Sequence, residues 1–263
     1  MTKQTRFDRR RYLKAVGAAG TTAVVAGCLG GGGDTENNTI NPGTAPGFPP
    51  FEYTEDGELV GFDVDLAEAV IEEAGYEVGE WTEIEFDSLI PSLTEGNIDL
   101  IAAAMTITEE RSETIAFSEP YYESNQTVLV SEDDDFQPSG ESDLEGRIVG
   151  VQSGTTGQNE LDRLIEEGVV AEDDSRQYEN YTLAVQDLEN GNIDAIIVDI
   201  PVASEFADGR AVEVAFVIET GEQFGLGMRQ DDDRIADLNE ALATLREDGT
   251  YDDLLAEYGL DVE

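Results

Sequence analysis

The stretch MTITEERSETIAFSEPYY, running from Met105 to Tyr122, sets Arg111 between Glu109, Glu110 and Glu113. On residue type alone, an arginine among glutamates is most often half of a surface ion pair worth little. Its planar fork can equally clamp a carboxylate through two parallel hydrogen bonds. Asp199, at the end of the apolar run IDAIIVDI, is the natural counterpart. It could cap a helix, but a cation with neighbouring hydroxyls at Thr106 and Thr108, facing an anion across a cleft, fits a zwitterion. Other chemistries have little material. The chain has no histidine and one cysteine, Cys28, which leaves no metal-ligand cluster beyond scattered acids. Only a carboxylate such as Glu52 or Asp199 could serve as a general acid or base. The loop Ser153–Gly157 is glycine-containing but lacks the Gly-Lys-Ser/Thr ending of a phosphate loop.

The elements that carry these residues are marked by an internal repeat. LTEGNIDLI, from Leu93 to Ile101, recurs as LENGNIDAI, from Leu188 to Ile196. Each copy reads as an amphipathic helix (Leu89, Leu93; Leu183, Leu188) stopped by a glycine at the C′ position and followed by an apolar strand. IDLIAAAM and IDAIIVDI lack polar alternation, as central strands buried on both faces do. The fold class expected is α/β, with two similar lobes, each a mostly parallel sheet flanked by helices. Ligands of such sheets lie beyond the carboxyl ends of the strands. Thr106 and Arg111 follow the first repeat strand and Asp199 ends the second, so they would meet from opposite sides.

Sixty acids oppose 14 bases, for a net charge of −46. Six of the bases lie in the first 14 residues, leaving eight arginines and no lysine to face 59 acids beyond residue 27. Such a surface repels itself in ordinary buffer, whereas molar salt shrinks the Debye length to about 3 Å. The acids are interleaved with apolar runs, unlike those of a disordered acidic tail. A folded, salt-adapted protein of halophile type is expected, and nucleic acid is a poor partner for it. Arg9-Arg10-x-Tyr12-Leu13-Lys14 resembles a twin-arginine export signal. The apolar stretch behind it is too short to span a bilayer securely. It ends in Val25-Ala26-Gly27-Cys28, similar to a lipoprotein cleavage box. The expected organisation is a signal peptide over 1–27 and a lipidated Cys28 with a flexible linker over 28–39. Lobe 1 is expected over 40–122 and 225–263, and lobe 2 over 126–223, with a two-strand hinge near Glu123–Asn125 and Phe224.

From about Asn41 to Gly259 the chain resembles the solute-binding proteins of ABC transporters for polar amino acids, two-lobed binders of the periplasmic type (type II). The resemblance rests on GELVGFDVDL (Gly57–Leu66), TITEER (Thr106–Arg111), FSEPYY (Phe117–Tyr122), VGVQSGTT (Val149–Thr156), Asp194–Asp199 and LREDGTY (Leu245–Tyr251). It implies that Arg111 clamps the ligand's α-carboxylate, that Thr106 adds a hydroxyl donor, and that Asp199 takes the α-ammonium. The backbone N–H of Thr156, ahead of a helix beginning near Gln158, would complete the anion site. Phe48 and Phe86 match the positions that sandwich the side chain. Gln152, Ala104, Met105 and Val198 would shape its pocket.

One departure bears on the ligand. Relatives often carry an acid where this chain has Ala45, in GTAPGF, which weakens the case for a cationic amino acid. With no obvious second cation for an acidic one, a neutral polar amino acid is slightly favoured. The function implied is a non-enzymatic, lipid-anchored, monomeric receptor on the extracytoplasmic face of the membrane, which captures a free amino acid by cleft closure and hands it to an ABC permease. It needs no cofactor and no metal. The alternatives are an enzyme on the same scaffold, such as a cyclohexadienyl dehydratase, and a ligand-sensing receptor module.

Overall fold

The computed structural model describes residues 38–261. The twin-arginine motif, Cys28 and the linker up to residue 37 lie outside the described residues. Among the described residues, no helix is long and apolar enough to cross a membrane.

Two five-stranded sheets organise the chain. The first begins with β1 (Pro42–Thr44), β2 (Thr82–Glu83), β3 (Leu100–Ile101) and β4 (Ile115–Phe117). A long strand, β5 (Tyr122–Ser131), then crosses into the second sheet, which adds β6 (Val149–Gln152), β7 (Ser175–Tyr178), β8 (Ala195–Asp199) and β9 (Val212–Phe224). After β9 the chain returns and lays β10 (Gly227–Arg229) into the first sheet. The strand orders are β2-β1-β3-β10-β4 and β7-β6-β8-β5-β9.

Both sheets are mostly parallel, as expected, and each is made mixed by one antiparallel strand. In each, four strands run in one direction and the strand that has crossed from the other sheet inserts antiparallel between the repeat strand and the edge strand: β10 between β3 and β4, and β5 between β8 and β9. Antiparallel pairing follows from the crossing itself, because a strand that arrives from the opposite lobe has no helical crossover to reverse its direction. The crossings also pair with each other, Tyr122 opposite Phe224, Glu123 opposite Gln223 and Ser124 opposite Glu222.

Helices cover the sheets: α1 (Phe62–Glu73), α2 (Leu89–Thr94) and the single turn α3 (Glu109–Ser112) on the first. On the second lie α4 (Thr156–Glu166), α5 (Tyr181–Glu189) and α6 (Ile200–Gly209), and the chain closes with α7 (Arg234–Glu247) and α8 (Thr250–Glu257) packed on α1. Leu66 and Val70 of α1 share an apolar cluster with Leu238, Leu242 and Leu254. Each buried leucine contributes about 1.5–3 kcal/mol by leaving water.

The repeat has a physical meaning in both sheets. Gly96 and Gly191 follow the ends of α2 and α5 with φ of +79° and +70°. Their N–H groups return to the carbonyls of Leu93 and Leu188. The repeat aspartates then fix the start of the neighbouring strand by a reciprocal exchange. Asp99 Oδ2 accepts from the N–H of Asn41 at 3.1 Å and Asp99 N–H donates to Asn41 O at 2.7 Å. Asp194 Oδ2 accepts from the N–H of Ile148 at 2.7 Å and its N–H donates to Ile148 O at 2.8 Å. Leu183 is not on the buried face of its helix: it is 41% exposed, and Tyr181, Ala184, Val185 and Leu188 face the core instead.

Gly61 opens α1 at φ +137°, where an added Cβ would lie 2.0 Å from the carbonyl oxygen of Phe51. Gly57, at φ +84°, has nothing within 4 Å of such a Cβ. Gly57→Ala is expected to cost only the backbone strain, about 1–3 kcal/mol. Gly61→Ala should cost more because of the collision. Thermal denaturation should therefore show a larger fall in Tm for Gly61→Ala, at about 2–4 °C per kcal/mol for a chain of this size.

Candidate functional site

The two repeat strands end facing each other. Beyond β3 the chain passes through Ala104, held at φ +43°, to Thr106 and then into α3. Thr108 caps α3, its hydroxyl oxygen accepting from the N–H of Arg111 at 3.2 Å. The arginine then folds back. Its Nη1 donates to Thr106 O at 2.7 Å, its Nη2 donates to Gly154 O across the cleft at 2.9 Å, and its guanidinium lies 5.4 Å from the ring centre of Phe86. Both bonds go to carbonyls, and among the described residues Arg111 has no carboxylate within ion-pair distance. Glu109, Glu110 and Glu113 therefore do not hold it as a surface partner.

On the opposite side, β6 ends at Gln152 and Gly154 turns the chain at φ +77°. Thr155 caps α4, accepting from the N–H of Gln158 at 3.2 Å. The helix begins at Thr156, two residues earlier than the sequence suggests. Asp199 precedes α6 at the N-cap position, yet its side chain makes no capping bond. Proline near the helix start and the apolar segment behind it set the helix without help from that carboxylate, which faces the cleft.

The cleft between the lobes leaves a free volume of about 10 Å³ and is lined by Phe48, Glu52, Phe86, Ala103, Ala104, Thr106, Arg111, Gln152, Thr155, Thr156 and Asp199. That is far below the roughly 300–1,000 Å³ common for small-molecule sites, so the lobes must part to admit a molecule of amino-acid size. Arg111, Thr106, Asp199, Phe48, Phe86, Thr156, Gln152 and Ala104 are all brought together there. Met105 and Val198 are not: they are 1% and 0% exposed and pack into the cores of their lobes, because successive strand residues face opposite ways. The cleft is closed, with the rings of Phe48 and Tyr181 5.6 Å apart across it.

Residues 40–261 match the model of the bacterial extracellular solute-binding proteins, family 3. The chain belongs to this family. It is 34% identical to a probable histidine-binding protein of Campylobacter jejuni over 265 residues, covering 96% of this chain and 100% of that relative. It is 37% identical to ABC transporter arginine-binding protein 1 of Escherichia coli over 221 residues, 81% of this chain and 87% of that one. The structure of an ancestral arginine-binding protein bound to arginine superposes with a TM-score of 0.78 at 34% identity, covering 84% of this chain and 98% of that chain. The architecture is the two-lobed, type II periplasmic binding-protein fold.

Several residues that shape the electrostatics of this solute-binding protein were not assigned to the ligand site from sequence. Glu52, considered there only as a possible acid or base, is 1% exposed and lines the cavity, and its Oε2 has no hydrogen-bond partner. Burial, reinforced by Asp63 and Asp199, pushes its carboxyl well above the usual range. Asp63, from the GFDVDL motif, is fully buried and accepts from the N–H of Ala104 at 2.6 Å and the hydroxyl of Tyr121 at 2.5 Å. It thereby holds the left-handed turn at Ala104. Glu222, on β9, is 8% exposed and accepts from the hydroxyls of Thr106 and Thr156, both at 2.8 Å. An acid inside an apolar helix start is a readable signal for Asp63. Glu222 gives none, because its position depends on a bulge between Ile218 and Glu222.

Burial pushes Asp63 up to about 7, and burial with the nearby charge of Glu222 pushes Asp199 up to about 8, each from an ordinary 3.8. The folded chain therefore binds these protons more tightly than the unfolded chain does. Their stabilisation is whole below about pH 4 and is lost as the pH rises through 7 to 8. Asp199→Asn keeps the neutral form at every pH. The ligand-free variant should melt above the wild type at pH 8 by about 2–4 °C per kcal/mol gained, with the gap closing near pH 4; calorimetric scans across that range check it.

Proposed function

We propose that the chain captures a free cationic amino acid, of the arginine, lysine or histidine class, by closing its lobes around it, as the receptor of an ABC importer. The observation that carries this reading is Glu52, a second buried carboxyl with an unpartnered oxygen on the wall of a cavity that already holds Asp199. A zwitterion uses Arg111 for its carboxylate and Asp199 for its ammonium, and Glu52 then remains for a positive side chain. Burying such a charge is favourable only with a partner. Ala45 removes one acid from the lobe 1 wall, and Glu52 supplies another from the same lobe. The names of the relatives, arginine-binding and histidine-binding, support the same class. Phe48 and Phe86 supply ring faces suited to a cationic side chain.

A neutral polar ligand such as glutamine is the second reading, favoured by the raised pKa of Glu52, whose protonated form could donate to a side-chain carbonyl. Export by the twin-arginine route, lipid attachment at Cys28 and life in high salt belong to the proposal too, supported by the motif at Arg9–Lys14, by VAGC, and by eight arginines against 59 acids. So does the division into lobes 40–122 with 225–263 and 126–223, hinged where β5 and β9 cross.

Titration calorimetry on protein refolded to strip carried-over ligand tests the reading with L-arginine, L-lysine, L-histidine and L-glutamine. The cationic set should bind more tightly than glutamine; the reverse order would favour the neutral reading. Arg111→Met should cost about 2–5 kcal/mol, at least ~30-fold in affinity, for all of them. Glu52→Gln should weaken L-arginine by roughly 10- to 100-fold while changing L-glutamine much less. Equal losses would remove Glu52 from the side-chain subsite.

A further inference from the structure

Acidic side chains crowd the cleft, and one basic side chain answers them. Glu52, Asp63, Asp199 and Glu222 are each at most 8% exposed, while Arg111 alone is basic among the residues that line the cavity. Local folding brings the first two together. Phe62 and Asp63 donate their N–H groups to Pro50 O and Phe51 O, both at 2.9 Å, so the turn that carries Glu52 sits on the start of α1, beside Asp63. Asp199 enters from the end of β8.

These carboxyls are not equally provided for. Glu222 accepts from the hydroxyls of Thr106 and Thr156 and from Gln126 Nε2. Asp63 Oδ2 takes two donors, Ala104 N–H and the Tyr121 hydroxyl. The side chains of Gln126 and Ser124 favour the charged form of Asp199. Glu52 instead faces two like charges, Asp63 and Asp199, and its Oε2 has no donor. Arg111 turns its guanidinium to Thr106 O and Gly154 O. The nearby phenols, Tyr121, Tyr122 and Tyr181, are held above their ordinary range by burial and stay neutral. A buried carboxyl with like charges beside it and no cation keeps its proton.

We propose that Glu52 exchanges a proton for the ligand's positive side chain, so that uptake of a cationic amino acid releases one proton more to solvent than uptake of its neutral isostere. The proton and the guanidinium or ammonium do the same work in turn: each cancels a carboxylate that the cleft otherwise leaves unpaired among like charges. With a neutral side chain the proton stays on Glu52 and donates to the side-chain carbonyl. One residue thereby serves both kinds of ligand. The exchange rests on the cationic reading above. Any proton that Asp199 loses to the α-ammonium is common to all amino acids and cancels between the two ligands.

Titration calorimetry on the refolded full chain at pH 7, in phosphate and in Tris, counts the protons, because the two buffers differ in the heat of taking one up. L-Arginine should release about one proton more than L-citrulline, its neutral isostere. Glu52→Gln should remove that difference by lowering the L-arginine count alone. Equal release by both ligands in the wild type overturns the proposal, as does an L-arginine count unchanged in Glu52→Gln. If Glu52→Gln does not fold, the wild type decides alone. The ratio of its association constants for L-arginine and L-citrulline should rise roughly tenfold per pH unit from pH 5 to 7, and a flat ratio overturns the exchange. L-Arginine bound without the extra proton leaves the cationic reading standing and removes the exchange; no binding of L-arginine removes both.

Discussion

A buried charge must be paired or neutralised, and the arrangement at the cleft follows from that constraint. Arg111 is held by two carbonyls, so its positive charge is oriented but not cancelled. Glu52 and Asp199 are buried with unpartnered oxygens and hold their protons well above the usual range. These groups leave charge and hydrogen-bonding capacity at the cleft that only partners of both signs would satisfy. In the proposed account, binding energy and closure come from the same source, because Arg111 and Glu52 follow the first sheet and Asp199 the second, and a ligand touching all three would favour the closed cleft.

The rest of the chain positions these groups. Reciprocal bonds from Asp99 and Asp194 lock the repeat strands in register with their neighbours. The strand ends then point Thr106 and Asp199 at the cleft. Asp63 fixes the left-handed turn at Ala104 and binds the hydroxyl of Tyr121 beside the crossing, so the motif that opens α1 reaches both the cavity wall and the hinge. The paired crossings β5 and β9 tie the lobes along one edge, leaving a rotation about that edge as the motion of least cost.

Much of this is legible in the chain alone. The repeat discloses two α/β lobes because glycine at C′ and an apolar strand are local signals, and the placement of Arg111 and Asp199 at the cleft follows from where those strands end. Strand direction in the sheets is not local: β5 and β10 become antiparallel members only because the chain crosses between lobes. Leu183 fits a helical stripe, yet its neighbours Tyr181 and Val185 win the buried face. Met105 and Val198 follow the right strands but alternate into the core, a matter of register by a single residue. Glu222 is invisible because it reads as one more acid on an acid-coated surface, and only the bulge in β9 turns it inward.

The most direct test of the central claim, that one ligand is held by its carboxylate and its ammonium together, compares L-arginine with agmatine, its decarboxylated analogue, by calorimetry on the refolded protein. Agmatine keeps the guanidinium and an amine but offers Arg111 nothing. The account predicts at least ~30-fold weaker binding for agmatine, the cost of leaving a buried cation unpaired. Equal affinities would contradict it, because Arg111 would then have no part in holding the ligand.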